Sequence, residues 1–391
     1  MRGGNGVITA AAGALNGHSG AGKSVMDATP PSKSAARPLD YNRPGVELEL
    51  VDPSVDAAWD REAFSHPDAT LFHGRAWARV LAATYGHRPR YCRFTRAGSL
   101  LALVPMMELR SPLSGSRGIS LPFTDFCEPL LFQETGPEQL KPLTELLAGL
   151  ARERGWKYFE LRGGPLRLQS ATPAVAFYAH SVNLADAQEL FTTLDPSVRR
   201  AIRKAERSAI EATIMDSREA MIQFYRLHVQ TRRRHGLPPQ PISFFLNIHE
   251  QIVAKGLGFL SMVRSGAAPI AAAVFFQQGK NALYKFGASD DAYQNLRPNN
   301  LAMWRGITHL AERGAATLHM GRTSLQNEGL RQFKLGWGSA ESTIEYFKFD
   351  TATGAWAAGS DRASGVHNAI FSRLPLSINR LMGRLIYPHL D

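Results

Sequence analysis

Two stretches of this chain follow one plan. Leu150–Arg162 and Leu310–Arg322 each read as the end of a helix, then a glycine (Gly155, Gly314), a short strand and an arginine (Arg162, Arg322). A glycine just past the last turn stops a helix, because it takes the left-handed backbone without penalty. A strand that starts so soon afterwards commits the helix to a layer over a sheet. The same alternation runs from Gly45 to Phe349. Strands are expected at Gly45–Val51, Arg90–Thr95, Leu100–Leu109, Lys157–Leu161 and Val175–Leu184, and again at Ile210–Met215, Gly258–Val263, Ile270–Gln277, Asn281–Phe286, Thr317–Met320 and Thr343–Phe349. Helices are expected at His73–Tyr85, Pro137–Arg154, Asp186–Leu194, Ser197–Ser208, Arg218–Arg233, Ile242–Ala254 and Asn300–Arg313. This pattern predicts an α/β chain with mixed sheets whose second half repeats the first.

A length of 391 residues suits two domains at roughly 100–200 residues each. The expected division is 41–209, ending in a basic linker helix, then 210–350, then a helical extension over 351–391. Residues 1–40 are rich in Gly, Ala, Ser and Pro without periodicity and read as a disordered tail. That tail contains Gly17-His18-Ser19-Gly20-Ala21-Gly22-Lys23-Ser24, a letter-for-letter phosphate-loop pattern. Such a loop needs a strand before it and a helix after it. Pro30-Pro31 leaves no room for that helix, so the match is read as coincidence.

Two cysteines, Cys92 and Cys127, exclude a disulfide framework and a multi-cysteine zinc site, and suit a reducing cytoplasm. The twelve histidines show no metal-ligand spacing, and neither a nucleophile-elbow nor a dinucleotide motif occurs, so no metal or bound cofactor is expected. The longest apolar run, Ala271–Phe276, is far below the ~20 residues that span a bilayer. A net charge of +11 calls for anionic partners. Asp195–His235 alone holds ten Lys/Arg against five Asp/Glu, with Arg199, Arg203 and Arg207 forming one helical stripe. A solvated helix face is the ordinary reading of that stripe; RNA or an anionic lipid carrier would use the same cations. The final segment, Phe371–Leu390, mixes Leu374, Ile378, Leu381, Leu385 and Ile386 with Arg373, Arg380 and Arg384. It reads as packing back on the second half, with peripheral contact at the inner membrane face as the other use.

The densest chemistry lies in Tyr284–Ser289, Arg297–Asn300 and Gly321–Gly338, where strands end in glycine and polar residues beside Lys or Arg. Cations at a sheet end face a cleft. Asn299 or Asn300 as N-cap would add free helix N–H groups, and a phosphate or developing oxyanion would be held there. By alternation, Lys285 faces the cleft or solvent if Tyr284 and Phe286 face the core.

Phe72-His73 through Trp77, Tyr85-Gly86-His87, Leu121-Pro122-Phe123-Thr124-Asp125, the basic Arg199–Lys204 helix, Thr231–Pro238, Tyr284–Ser289 and Gly321–Gly338 together resemble FemAB-like proteins of the GNAT acyltransferase superfamily. The branch most resembled accompanies bacterial exopolysaccharide and PEP-CTERM/exosortase systems. The resemblance spans roughly residues 45–350. It implies two tandem GNAT-like folds with a cleft between them, and transfer of an acyl or aminoacyl group to an amine. Lys334 matches the lysine of the family's Phe-Lys-x-Gly motif and would hold donor phosphate or the oxyanion; a lysine stem covering surface is the bland alternative. Arg322 would clamp a phosphate or carboxylate, or else pair with Glu328. Asp125 resembles an acidic residue near the acceptor site, or else caps a turn. Glu328 is the expected general base.

Arg297-Pro298-Asn299-Asn300 stands where CoA-dependent relatives carry a glycine-rich pyrophosphate loop, and it contains no glycine. That departure favours an aminoacyl-tRNA donor or no donor. The absence of a coiled-coil heptad run and the exopolysaccharide resemblance favour acyl-CoA. The expected activity is therefore N-acyl transfer from acyl-CoA to an amine of an anionic cell-envelope saccharide or peptidoglycan-type precursor. The alternatives are an aminoacyl-tRNA-dependent transferase and a non-catalytic binding protein that keeps the fold.

Overall fold

A computed structural model describes residues 45–133, 137–164, 171–358 and 371–390. The tail at 1–40 and its phosphate-loop pattern lie outside the described residues. In chain order the first half contains β1 (Val46–Val51), α1 (Trp59–Ala63), α2 (Arg75–Tyr85), β2 (Arg88–Pro89), β3 (Tyr91–Arg96), β4 (Ser99–Val104), β5 (Met107–Ser111), β6 (Gly115–Ile119), β7 (Leu130–Leu131), α3 (Pro137–Glu153), β8 (Tyr158–Arg162) and β9 (Val175–Asn183). There follow α4 (Ala187–Thr193), α5 (Pro196–Glu206), β10 (Glu211–Met215), α6 (Arg218–Arg234), α7 (Ile242–Gln251), β11 (Gly258–Ser265), β12 (Ala268–Gln278), β13 (Asn281–Ser289), α8 (Pro298–Glu312) and β14 (Thr317–Ser324). The chain ends with α9 (Glu328–Leu335), β15 (Ala340–Asp350), β16 (Ala355–Ala357) and α10 (Leu376–Ile386).

The strands make a four-stranded sheet, β1-β3-β4-β7, and a twelve-stranded one that runs β10-β11-β12-β13-β14-β9-β15-β8-β6-β5-β2 with β16 beside β15. The two halves exchange strands in the larger sheet. First-half β9 lies between β14 and β15, while second-half β15 lies between β9 and β8. Large apolar side chains bind the sheets to their helices. Trp77, Phe244 and Phe276 meet in one cluster, and Trp337 and Ile202 join the layer under α5 and α8.

The expected single strand Leu100–Leu109 is two strands. Pro105 carries no N–H to donate, so pairing with β3 ends at Val104 and the chain crosses to the larger sheet as β5. Helix α8 starts at Pro298, with Arg297 in the N-cap position at φ 60°, so neither Asn299 nor Asn300 is the N-cap. Proline with its fixed φ is well suited to the first helical turn. Asp195 caps α5 as its sequence suggests, accepting from the Ser197 N–H at 2.7 Å.

Candidate active site

Pairing of β12 with β13 slips by one residue. Val274 faces Phe286 and Phe275 faces Tyr284, which leaves Lys285 as the extra residue of a bulge. A bulge bends its strand and re-aims the side chain it carries. The neighbouring parallel pairing of β13 with β14 covers only Asn281–Leu283 against Thr317–His319, after which the ladder between the two strands ends. Strand β14 bulges in turn against β9, between His319 and Arg322, with Gly321 at φ 76°, and pairs with β9 again from Arg322 to Ser324. That backbone angle selects glycine.

Into this region the first half inserts the loop Leu121–Asp125. Leu121 and Phe123 have φ of 60° and 59°, a strain on the order of 1 kcal/mol each. Three side chains hold the loop in place. Arg162 donates to the Leu121 and Thr124 carbonyls at 3.2 and 3.3 Å, the Thr124 hydroxyl donates to the Leu121 carbonyl at 2.7 Å, and the Tyr346 hydroxyl donates to the Asp125 carbonyl at 2.6 Å.

The Asp125 carboxylate thereby reaches 3.1 Å from Lys285 Nζ, and the Lys285 side chain is only 7% exposed. Burial alone would push the Asp125 carboxyl up; Lys285, Arg322 and His319 overcome this and hold it well below the usual carboxylate range. Burial lowers Lys285, which Asp125 only partly offsets, and the rings of Phe72, Trp77 and Phe286 surround its ammonium at 5.3–5.9 Å. Lys334 is 2% exposed and does not lie along the surface. Its Nζ donates to the carbonyls of Gly321 at 2.7 Å and Arg322 at 3.0 Å, fastening the β14 bulge. Burial, with Lys285 adding to it, brings Lys334 down to about 8.

His319 completes the cluster. Its Nδ1 accepts the Gly321 N–H at 3.0 Å, so the neutral ring carries its proton on Nε2. Burial and the nearby Lys334 and Lys285 lower its pKa to about 4 against the pull of Asp125. At neutral pH it is an uncharged hydrogen-bond donor whose ring centre lies 4.2 Å from that of Phe126, the two rings tilted by 46°.

Two pockets of unlike character lie on elements of this region, one bordered by α9, which carries Lys334, and one that includes His319. One, of about 730 Å³, is walled by Arg200 and Lys204 of α5 with Asp195 at its N-cap, Arg297 and Asn300 at the start of α8, and Gln332 of α9 with Gly336 just past its end. Helix α8 has no side-chain cap there. The other, of about 420 Å³, is lined by Asp68, Glu128, Thr70, Asn281, Phe126 and His319, among others. Partial desolvation and the charge of Asp68 raise the Glu128 carboxyl.

The structure thus brings Asp125, Lys285, Arg322 and Lys334 together. Arg322 donates to the Tyr346 hydroxyl at 2.7 Å and lies over the Phe177 ring; it does not pair with Glu328. Glu328 is exposed on the first turn of α9, bonded to Arg331 and Gln332, and lines neither pocket. Tyr284 packs against Phe275, outside both pockets. Asn300 lines the basic pocket, whereas the Asn299 amide turns to Ser289 Oγ and Gln294. Arg199 and Arg203 do not line that pocket; Arg203 stacks on Phe191 at 5.3 Å, and their helix neighbours Arg200 and Lys204 face the cavity. Sequence reasoning passed over His319, Tyr346 and Glu128. Only His319 left a signal, as the polar residue between Leu318 and Met320 in the repeated helix–Gly–strand unit.

Residues 196–341 match the Acetyltransferase (GNAT) domain family. The crystal structure of FemX aligns with a TM-score of 0.61 at 15% identity, covering 76% of this chain and 96% of FemX. A tandem GNAT protein from the clavulanic acid biosynthesis pathway aligns at 0.50 with 10% identity, covering 81% of this chain and all of that one. No curated protein matches the chain in sequence. The fold is a mixed α/β arrangement of two tandem GNAT-like units, the architecture of acyltransferases.

Proposed function

We propose that this protein transfers an acyl group from an acyl-CoA thioester to an amine carried by a cell-envelope saccharide or peptidoglycan-type precursor. The observation that supports this most is the presence of two unlike pockets, a basic one bordered by α9, the helix that carries Lys334, and a carboxylate-lined one that His319 lines. Donor phosphates suit Arg200, Lys204 and Arg297 together with the uncapped start of α8. An acceptor ammonium is attracted by Asp68 and Glu128 in the other pocket. Glu128, with its raised carboxyl pKa, takes the proton from the amine, the role first assigned to Glu328. The amine nitrogen then attacks the thioester carbonyl, the developing oxyanion accepts from His319 Nε2–H, and as the C–S bond breaks the proton lost by the new amide nitrogen goes to the departing sulfur, which leaves as the thiol. Asp125, Lys285, Arg322 and Lys334 act by keeping the two bulges and the inserted loop in register. The resemblance to exopolysaccharide-associated proteins is what directs the acceptor toward an envelope saccharide.

An aminoacyl-tRNA donor has one observation in its favour: Arg203 and Arg207 continue the cationic surface of α5 beyond the basic pocket and are exposed. Thiol release from acyl-CoA in the presence of an amino sugar separates the readings. Arg200→Ala with Lys204→Ala should raise KM for acyl-CoA by about tenfold or more while kcat changes little, as expected for losing charged hydrogen bonds to phosphate. Absence of thiol release, together with salt-sensitive RNA binding that Arg199→Glu with Arg203→Glu abolishes, would move the donor to tRNA. Absence of both would leave a binding protein.

A further inference from the structure

Helix α10 is anchored on one side and bare on the other. Its inner face is made by Asn379, Gly383 and Tyr387, one helical turn apart. The Asn379 amide donates to the Phe371 carbonyl at 3.1 Å, and the Tyr387 hydroxyl donates to the Pro238 carbonyl at 3.2 Å while accepting from Arg232 at 2.8 Å. Gly383 lies so close to the 238–239 backbone that an added Cβ would fall 1.9 Å from the Pro239 carbonyl oxygen. Arg117 ties down the end of the segment through the His389 carbonyl at 2.8 Å. The helix is therefore held rigidly in one orientation.

Its outer face carries Ile378, Leu381 and Leu385, 45%, 55% and 57% exposed, in one stripe at helical spacing. With Leu390 these are four of the eight large exposed aliphatic side chains among the described residues, gathered within thirteen positions. Scattered single apolar residues need no explanation, but a concentration on a fixed helix does. Arg380 and Arg384 follow one edge of the stripe. With Leu381, Tyr225, Ile242 and Ser243 they line a groove of about 440 Å³. From Ala363 to Leu390 the sequence has three arginines and no acidic residue.

We infer that α10 docks the protein on the surface of an anionic phospholipid bilayer, lying in the interface with Ile378, Leu381 and Leu385 among the acyl chains and Arg380 and Arg384 at the phosphates. Charge selects this occupant. A second copy of the chain would bring arginines against arginines with no acid to receive them, whereas lipid phosphates supply the countercharge along the whole edge. The helix is too short to cross the bilayer, and among the described residues no helix is long and apolar enough to do so. The inference is independent of the acyl-transfer reading.

Co-sedimentation of the full chain with vesicles tests it. Vesicles of phosphatidylcholine mixed with phosphatidylglycerol should carry the protein down, and pure phosphatidylcholine vesicles should carry down about tenfold less. Raising the salt should weaken binding to the mixed vesicles. Leu381→Ser with Leu385→Ser, both exposed and so harmless to folding, should abolish sedimentation with melting temperature unchanged; Arg384→Ala should reduce it severalfold. Failure of the folded wild-type protein to bind the mixed vesicles, or undiminished binding by the double serine variant, overturns the inference. A wild-type dimer that the serine variant converts to monomer, without vesicle binding, likewise overturns it in favour of self-association.

Discussion

Arg162 and Arg322 lie against one ring: their guanidinium carbons stand 5.1 and 5.3 Å from the centre of Tyr346. They are the closing residues of the two repeated helix–Gly–strand units. Arg162 holds the inserted loop through the Leu121 and Thr124 carbonyls, and Arg322 holds the hydroxyl that bonds Asp125. Equivalent positions in the two halves thus converge on the same loop from either side.

The Asp125–Lys285 pair is largely buried, with the lysine side chain 7% and the carboxylate 21% exposed, so breaking it on one side leaves a charge without its partner. Asp125→Asn should cost about 3–5 kcal/mol of stability. Asp125→Asn combined with Lys285→Met should recover much of that loss, because two neutral groups need no countercharge. Chemical denaturation of the three proteins measures it; a double variant no better than the single would show that the pair's charges are not what matters.

Lys334 bonds the Gly321 and Arg322 carbonyls from a buried position. Lys334→Met should cost roughly 2–4 kcal/mol and lower turnover through movement of the bulge, with arginine a poor substitute in so tight a space. The pH dependence carries its own signature. Because its folded pKa of about 8 lies below the unfolded value near 10.5, the folded state binds fewer protons between these limits, and stability rises with pH across that window. Lys334→Met should flatten the rise in unfolding free energy between pH 8 and 10; an unaltered slope would show that Lys334 titrates normally.

Acid should act through buried neutral histidines. His73 and His228 are 1% and 4% exposed, and burial lowers them to about 4 and about 3. Folded pKa values below the unfolded 6.5 mean that stability is full above pH 6.5 and falls as the unfolded chain takes up protons. Each ring contributes up to about 3–5 kcal/mol to that fall. Urea midpoints should therefore drop steeply between pH 7 and 5, and His228→Phe should make the drop shallower. Equal slopes in variant and wild type would exclude His228 as a source.

Two glutamates separate the candidate bases. Glu128→Gln should reduce kcat by about 10²–10⁴ with the fold intact, while Glu328→Gln, in solvent on α9, should leave turnover within about twofold. Steady-state kinetics decides it. The reverse ranking would return the proton to Glu328.

Most of the elements were legible in the sequence, because long periodic segments state their own kind. Helices α3, α5 and α6 and strands β9 to β15 fall where the pattern puts them to within a few residues. The break at Pro105 was hidden, since apolar residues continue on both sides and only the change of sheet reveals it. Helix α9 was overlooked because Gly329 and Gly336 bracket a short amphipathic run. The three cations that meet near Asp125, namely Lys285, Arg322 and Lys334, were foreseen, yet their function changes with direction: Lys334 points inward to carbonyls. On α5 the sequence shows two polar edges and no means of telling which one borders a cavity. That depends on α8 and α9, which arrive from far along the chain. The bulge at Lys285 has no local mark at all, since it is a property of the pairing with β12.

The exchange of β9 and β15 sets a timetable for synthesis. Phe159 and its partner Phe349 are roughly 190 residues apart, so β8 and β9 emerge from the ribosome roughly 10–40 s before β15 exists to fill the space between them. Throughout that interval two strand edges stand open, the condition under which nascent chains stick to one another. The first half cannot mature early, and a chain truncated before Ala340 would lack the strand that closes the sheet. A protein built in this way completes its larger sheet only near the end of translation.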